Sequence, residues 1–175
     1  LFRSELYRDE ASRKHVERFF IELTGSERIS RPILRYADRH DISLFLAFSV
    51  AYVESRFNAR AVNKNASSVD RGVFQLNSRA FPRLKERDFF DPETSAKYGI
   101  SHLKFCLQEG GNDIAAIAMY NAGKNRVTSK GAPLVTLGYI SRYVEYRSDL
   151  EAAFDAYMRD KMWEKQFQTG KSTQA

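Results

Sequence analysis

Glu54 ends a run of apolar residues, Leu44 to Val53, broken by Ser49, and opens a polar stretch, AYVESRFNARAVNKNASSVDRGVFQLNS over residues 51–78. On a helix from Leu44 to about Phe57, Val50 and Ala51 share a face with Glu54 at spacings of four and three. Desolvation by such neighbours disfavours the charged carboxylate, and the negative end of the helix dipole repels it; both effects raise its pKa. A carboxylic acid that keeps its proton near neutral pH is what breaking a glycosidic bond requires, because the leaving oxygen must be protonated as the C–O bond opens. The same residue could instead end the helix in solvent and pair with Arg56 or Arg60, and its spacing alone leaves both readings open.

Other side chains nearby can bind rather than react. Gly72 either gives a ligand room against the backbone or lets the chain bend where a side chain would clash. Read as extended chain, Val73, Gln75 and Asn77 share one face, opposite Asp70, Phe74 and Leu76. Gln75 and Asn77 then either hydrogen-bond a ligand or satisfy loop backbone as buried amides. Ser68, with Ser67, is a weaker candidate, and Ser55 is expected to bond the last carbonyls of its helix. In YNAG (residues 120–123), Gly123 is a natural helix cap, whereas the Tyr120 hydroxyl needs a partner if buried.

The elements that must position these groups read as helices. Residues 5–23 form a charged amphipathic helix that Gly25 can end, and Ser26 or Ser30 starts another with Pro32 in its first turn. The apolar helix begins near Ser43. Asp91 and Pro92 open a helix that Gly110 and Gly111 close, and Asn112 caps the next. Residues 137–167 carry apolar residues at helical spacing, expected in two pieces. Only residues 60–76 look β-leaning, which predicts a small hairpin or irregular loop.

Bulk properties bound the rest. A chain of 175 residues, 43% hydrophobic, is long enough for one core. Its longest apolar run falls short of the roughly 20 residues that cross a bilayer. Cys106 is the single cysteine, and His15, His40 and His102 show no ligand spacing, so neither a disulfide, a metal nor a cofactor is expected. A net charge of +6 suits a polyanionic partner. The bases are interleaved with acids and form no aromatic-basic stripe, which argues against nucleic acid.

The segment ESRFN…SSVDRGVFQLNS resembles the active-site stretch of the lysozyme superfamily. AAIAMYNAG (residues 115–123) resembles the Tyr-Asn-Ala-Gly motif of SLT-type lytic transglycosylases, and TLGYISRYVEY resembles their later Thr-x-x-Tyr segment. The order of the three motifs also matches. The chain departs from many members at Val135, where they carry glutamate, and at Val73–Phe74, where they carry Leu-Met.

The resemblance implies a mainly α, lysozyme-like α+β fold: a helical domain with a small β-hairpin or irregular loop beside an active-site cleft. It implies one domain over 1–175, with an N-terminal helical extension (1–25), a transglycosylase core (26–154) and a C-terminal helix and tail (155–175). It implies Glu54 as general acid and then base, cleaving the β-1,4 bond between N-acetylmuramic acid and N-acetylglucosamine to leave 1,6-anhydromuramoyl ends. Gly72, Gln75, Asn77, Ser68, Tyr120, Asn121 and Tyr139 are the expected substrate-binding residues, with Tyr120 and Tyr139 beside the acid.

Asp70 falls where animal-type lysozymes carry a second carboxylate, so two alternatives stay open: a hydrolytic muramidase using Glu54 and Asp70, and a weakly active peptidoglycan-binding module of an envelope assembly. A retaining hydrolase needs the two carboxyls about 5–5.5 Å apart. The expected partner is the peptidoglycan glycan strand, with envelope-assembly proteins as further candidates, no nucleic acid, and a monomer. The expected place is the bacterial cell envelope, periplasmic or exported; a chain opening at Leu1 suggests a tether or signal upstream.

Overall fold

The computed structural model describes the backbone of residues 5–171 and the side chains through Lys161; residues 1–4 and 172–175, the outer ends of the expected extension and tail, lie outside the described residues. Eight helices and one small sheet follow in the described chain: α1 Glu5–Arg8, α2 Glu10–Thr24, α3 Glu27–Arg39, α4 Leu44–Ser55, β1 Val62–Lys64, β2 Val69–Arg71, β3 Leu76–Asn77, α5 Pro92–Gly110, α6 Asp113–Ala122, α7 Lys124–Lys130 and α8 Leu134–Lys171. The fold is mainly α with a three-stranded antiparallel sheet, as expected of a lysozyme-like domain. Among the described residues no helix is long and apolar enough to cross a membrane.

The apolar helix α4 is central. Every residue from Leu44 to Ala51 is buried, so it is apolar all round and must be enclosed by neighbours. It packs against α3 and α8, and α2 closes on α3 and α8 in turn. The aromatic centre joins three of these helices: Phe20 stacks on Phe48 with centroids 4.1 Å apart, and Phe45 meets Phe154 edge-on at 5.1 Å. Burying a ring such as Phe48 stabilises the domain by about 2–3 kcal/mol.

Several expected boundaries move. The first charged helix is two helices, because Asp9 leaves the helical conformation (ψ 126°) and its carboxylate accepts the Ser12 backbone N–H at 2.9 Å, so the side chain starts α2 rather than continuing α1. Gly25 ends α2 in the left-handed region. Pro32 stands well inside α3 rather than in its first turn, and its buried ring stays there because α3 is held by packing more than by one lost backbone bond. The expected two-piece C-terminal helix is one continuous helix, α8, because no proline interrupts it and Tyr139, Tyr143, Leu150, Phe154 and Met158 keep one buried stripe along its length. The caps Asp91 and Asn112 are where the sequence puts them: Asp91 Oδ2 accepts from the Thr94 backbone N–H, and Asn112 Oδ1 from that of Ala115.

Candidate active site

Helix α4 delivers Glu54 in its last turn and then stops. Arg56 (φ 52°) and Phe57 (φ 63°) both adopt the left-handed conformation, unusual for residues with side chains, so the chain reverses at once. Phe57 is repaid by burial against Phe48 and Tyr52. The reversal leaves Glu54 facing a cleft of about 840 Å³ instead of solvent beyond a helix end.

The opposite wall is the sheet. In the antiparallel register Asn63 pairs with Asp70 and Asp70 with Asn77, which sets the three side chains in one row across the strands. The row is a hydrogen-bond network centred on one carboxylate. Asn77 Nδ2 donates to Asp70 Oδ1 at 2.6 Å, and Asn65 Nδ2 donates to Oδ2 at 2.8 Å, with Asn63 Nδ2 at 3.4 Å. Ser68 Oγ accepts from Asn77 Nδ2 at 2.8 Å and so braces the same network. Asp70 and Asn77 therefore share a face, contrary to the alternation read from the sequence. The cause is the turn between β2 and β3, where Gly72 (φ 78°) and Gln75 (φ 47°) are both left-handed and break the two-residue period.

That turn is pinned from three sides. Ser55 Oγ donates to Val73 O at 2.8 Å as well as to Ala51 O within its own helix, tying α4 to the turn. Ser95 Oγ accepts from the Phe74 backbone N–H at 3.1 Å. Tyr120 Oη donates to Phe74 O at 2.9 Å. Gly72 is needed for packing: a Cβ there would lie 2.0 Å from the Phe89 carbonyl oxygen. Gly72 thus lets the chain bend past Phe89, the second of the two roles open to it. Gly99 was not among the expected residues, yet a Cβ on it would strike the Phe74 ring at 2.3 Å; a glycine inside an otherwise regular helix was the available sign.

Gln75 lines the cleft, and both amide hydrogens serve the loop, donating to Ala61 O at 3.2 Å and Gly72 O at 2.9 Å. Its Oε1 is the atom left for a ligand. Asn121 also lines the cleft, held by the buried Thr136 hydroxyl, which donates to its Oδ1 at 2.8 Å. Tyr139 stands behind the acid: its buried hydroxyl donates to Glu54 Oε1 at 2.6 Å. The cleft thus brings together Glu54, Asp70, Gln75, Asn77, Tyr120 and Asn121, with Tyr139 and Ser68 bonded to members of that set and Gly72 packed behind them. His102 was not singled out by its sequence context, but it lines the same cleft with its ring 5.1 Å from that of Tyr120, and burial lowers its pKa.

Electrostatics follow from this packing. Although Glu54 keeps some surface open to the cleft, its surroundings exclude enough water to raise its pKa from 4.5 to about 7. Desolvation is the largest cause; the Tyr139 hydrogen bond opposes it by favouring the anion, the negative charge of Asp70 adds to the rise, and the Arg142 guanidinium pulls the other way. Tyr120 and Tyr139 are held well above the ordinary phenol value, chiefly by burial and next by the charge of Glu54, so both hydroxyls remain donors. Among the described residues, no three His, Cys, Asp or Glu side chains gather where they could hold a metal ion. The arrangement offers one acid that is half-protonated near neutral pH, in the same cleft as a carboxylate that accepts hydrogen bonds from three amides.

A family model described as the transglycosylase SLT domain matches residues 31–133, more than half of the chain. The chain belongs to the SLT transglycosylase family. The match takes in α4, the sheet and α6, hence Glu54, Asp70, Gly72, Gln75, Asn77, Tyr120 and Asn121 of this SLT chain. It ends just before α8, so Tyr139 is supplied from outside the matched stretch. SLT domains act on peptidoglycan in the cell envelope, which makes peptidoglycan the substrate class that membership of the family implies for this chain.

Proposed function

We propose that the protein is a peptidoglycan lytic transglycosylase in which Glu54 works alone as acid and then base. The observation that carries this reading is a single carboxyl with a pKa near 7, bonded by the Tyr139 hydroxyl on the wall of the cleft. Glu54 gives its proton to the oxygen between N-acetylmuramic acid and N-acetylglucosamine as that C–O bond breaks. The resulting carboxylate, steadied by the Tyr139 hydroxyl, takes the proton of the muramoyl 6-hydroxyl. O6 then bonds the anomeric carbon of the same sugar, leaving a 1,6-anhydro end. No water is consumed and Glu54 finishes protonated.

Gln75 Oε1 and Asn121 are the groups we assign to the N-acetyl and hydroxyl groups of the strand; the Asn77 amide, whose two hydrogens go to Asp70 Oδ1 and Ser68 Oγ, acts with the other amides around Asp70 to keep that wall rigid. We further infer that residues 26–154 form the transglycosylase core, flanked by helical additions, that the chain acts as a monomer in the envelope, and that nucleic acid is not its partner. Mass spectrometry of digested peptidoglycan tests the reading. Anhydromuramoyl ends from the parent and none from Glu54→Gln are expected; reducing ends would instead make the protein a muramidase using Asp70, and equal cleavage by both proteins would remove Glu54 from the chemistry.

A further inference from the structure

Between Asp113 and Glu145 the chain carries no acidic residue, and no other stretch of it goes as long without one. The same segment holds the bases Lys124, Arg126, Lys130 and Arg142. It also holds most of the large apolar side chains left exposed among the described residues: Ile114, Leu134, Val135, Leu137 and Val144, with Val62 and Phe105 elsewhere. Charge of one sign and exposed apolar surface therefore fall on one part of the molecule.

The fold gathers them at the start of α8. Gly131, Ala132 and Pro133 join α7 to α8 tightly: the Gly131 N–H donates to Val127 O at 3.0 Å and the Thr136 N–H to Pro133 O at 2.9 Å. Leu134 and Val135, 84% and 74% exposed, stand on the first turn of α8, and Leu137 follows one turn on. Arg126 and Lys130 are exposed on one side of α7, four residues apart, and Lys130 is the last residue before the connection. Arg142, also exposed, folds back along α8 until its Nη1 lies 3.8 Å from where a Cβ on Gly138 would be. Lys124 is tied to Glu109 at 2.5 Å. Acids return at Glu145 and Asp149, so the surface is the end of α8 and not its length.

Leu134, Val135 and Leu137 do not line the cleft, so the strand held there does not cover them. They are aliphatic and stand out from an exposed turn, whereas the anchors of protein–protein interfaces are chiefly aromatic or Arg side chains set into pockets, and Lys is depleted there. A lipid surface asks for the combination found: aliphatic tips enter the headgroup layer while Lys and Arg around them reach the phosphates. We propose that this end of α8 docks on an anionic phospholipid bilayer, with Leu134, Val135 and Leu137 entering the headgroup layer and Arg126, Lys130 and Arg142 meeting lipid phosphates. Thr136, on the same turn, holds Asn121 of the cleft wall, so docking sets the cleft beside the bilayer. The proposal is independent of the reaction assigned to Glu54.

Co-sedimentation of the whole chain with vesicles tests it, using phosphatidylglycerol mixed with phosphatidylethanolamine against phosphatidylcholine alone. The parent should bind the anionic vesicles and bind phosphatidylcholine far more weakly. Leu134→Ser/Val135→Ser should weaken binding to the anionic vesicles roughly tenfold or more. Arg126→Gln/Lys130→Gln should weaken it by about fivefold for each base at low salt and match the parent in 0.5 M salt. All four side chains are exposed, so the core is untouched. Arg28→Gln/Arg60→Gln removes the same charge from outside this surface and should keep the parent's affinity. A parent that leaves anionic vesicles unbound, or binding that survives loss of the apolar pair, would overturn the proposal. So would an equal loss from the two basic pairs, which would mark adsorption of a basic chain with no docking surface.

Discussion

Replacing Glu54 by glutamine should stabilise the protein, and by an amount that depends on pH. In the folded chain Glu54 titrates near 7, against 4.5 for an unperturbed glutamate. The folded state therefore holds this proton more tightly than the unfolded state does. The stability so contributed is complete below pH 4.5, is lost as pH rises toward 7, and changes no further above that. An interval of about 2.5 pH units, at about 1.4 kcal/mol for each, makes the ionised carboxylate about 3 kcal/mol more costly in the folded protein than in the unfolded one. Glutamine keeps the shape and an acceptor for the Tyr139 hydroxyl without the charge. Urea denaturation of parent and variant at steps from pH 4 to 8.5 gives the difference directly. Glu54→Gln should gain roughly 3 kcal/mol on the parent between pH 4.5 and 7, then hold that gain to pH 8.5. A difference that stays flat across the series, or a parent that becomes the more stable protein as pH rises, would refute the argument from burial.

Three further outcomes follow from the geometry. Tyr139→Phe removes the hydroxyl that favours the Glu54 anion, so the basic limb of the pH–rate profile should move upward by roughly one pH unit, as expected for losing one hydrogen bond to a charged group; an unmoved limb would mean the 2.6 Å contact has no energetic weight. Asp70→Asn should retain anhydromuramoyl products and shift the same limb to lower pH, because the Asp70 charge raises the Glu54 pKa; loss of cleavage by roughly 10⁴-fold would instead mark Asp70 as a participant in the chemistry. Gly72→Ala should cost roughly 3 kcal/mol or more in a thermal melt, since its Cβ would lie 2.0 Å from Phe89 O, whereas Gly25→Ala, left-handed but with nothing within 4 Å, should cost only about 1–2 kcal/mol.

Glu54 was legible as a candidate because an apolar helix leading to one carboxylate allows the desolvation that is the largest cause of its raised pKa, but that spacing fitted a solvated helix end as well, and only the motifs that follow it chose between the two. The helix caps were legible from local sequence, since Asp91 and Asn112 bond backbone three residues on. What could not be read was set by contacts distant in the chain. The alternation expected over residues 70–77 failed because Gly72 and Gln75 are held left-handed by a turn pinned to α4, α5 and α6. The role of Gly72 depends on Phe89, and the unbroken length of α8 on a stripe packed against α4 and α2. Asp70 was visible as a candidate, but its three amide partners were not, because they come from β1, from the loop after it and from β3. His102 carried no local sign at all, because its place in the cleft comes from α5 packing against α6.

The most direct measurement is the titration of the Glu54 side-chain carboxyl itself by carbon NMR, in protein labelled at glutamate and assigned by difference from Glu54→Gln. A midpoint near pH 7 is predicted. A carboxyl that titrates near 4.5, like any glutamate in water, would contradict the account of this cleft as the seat of a single acid–base residue.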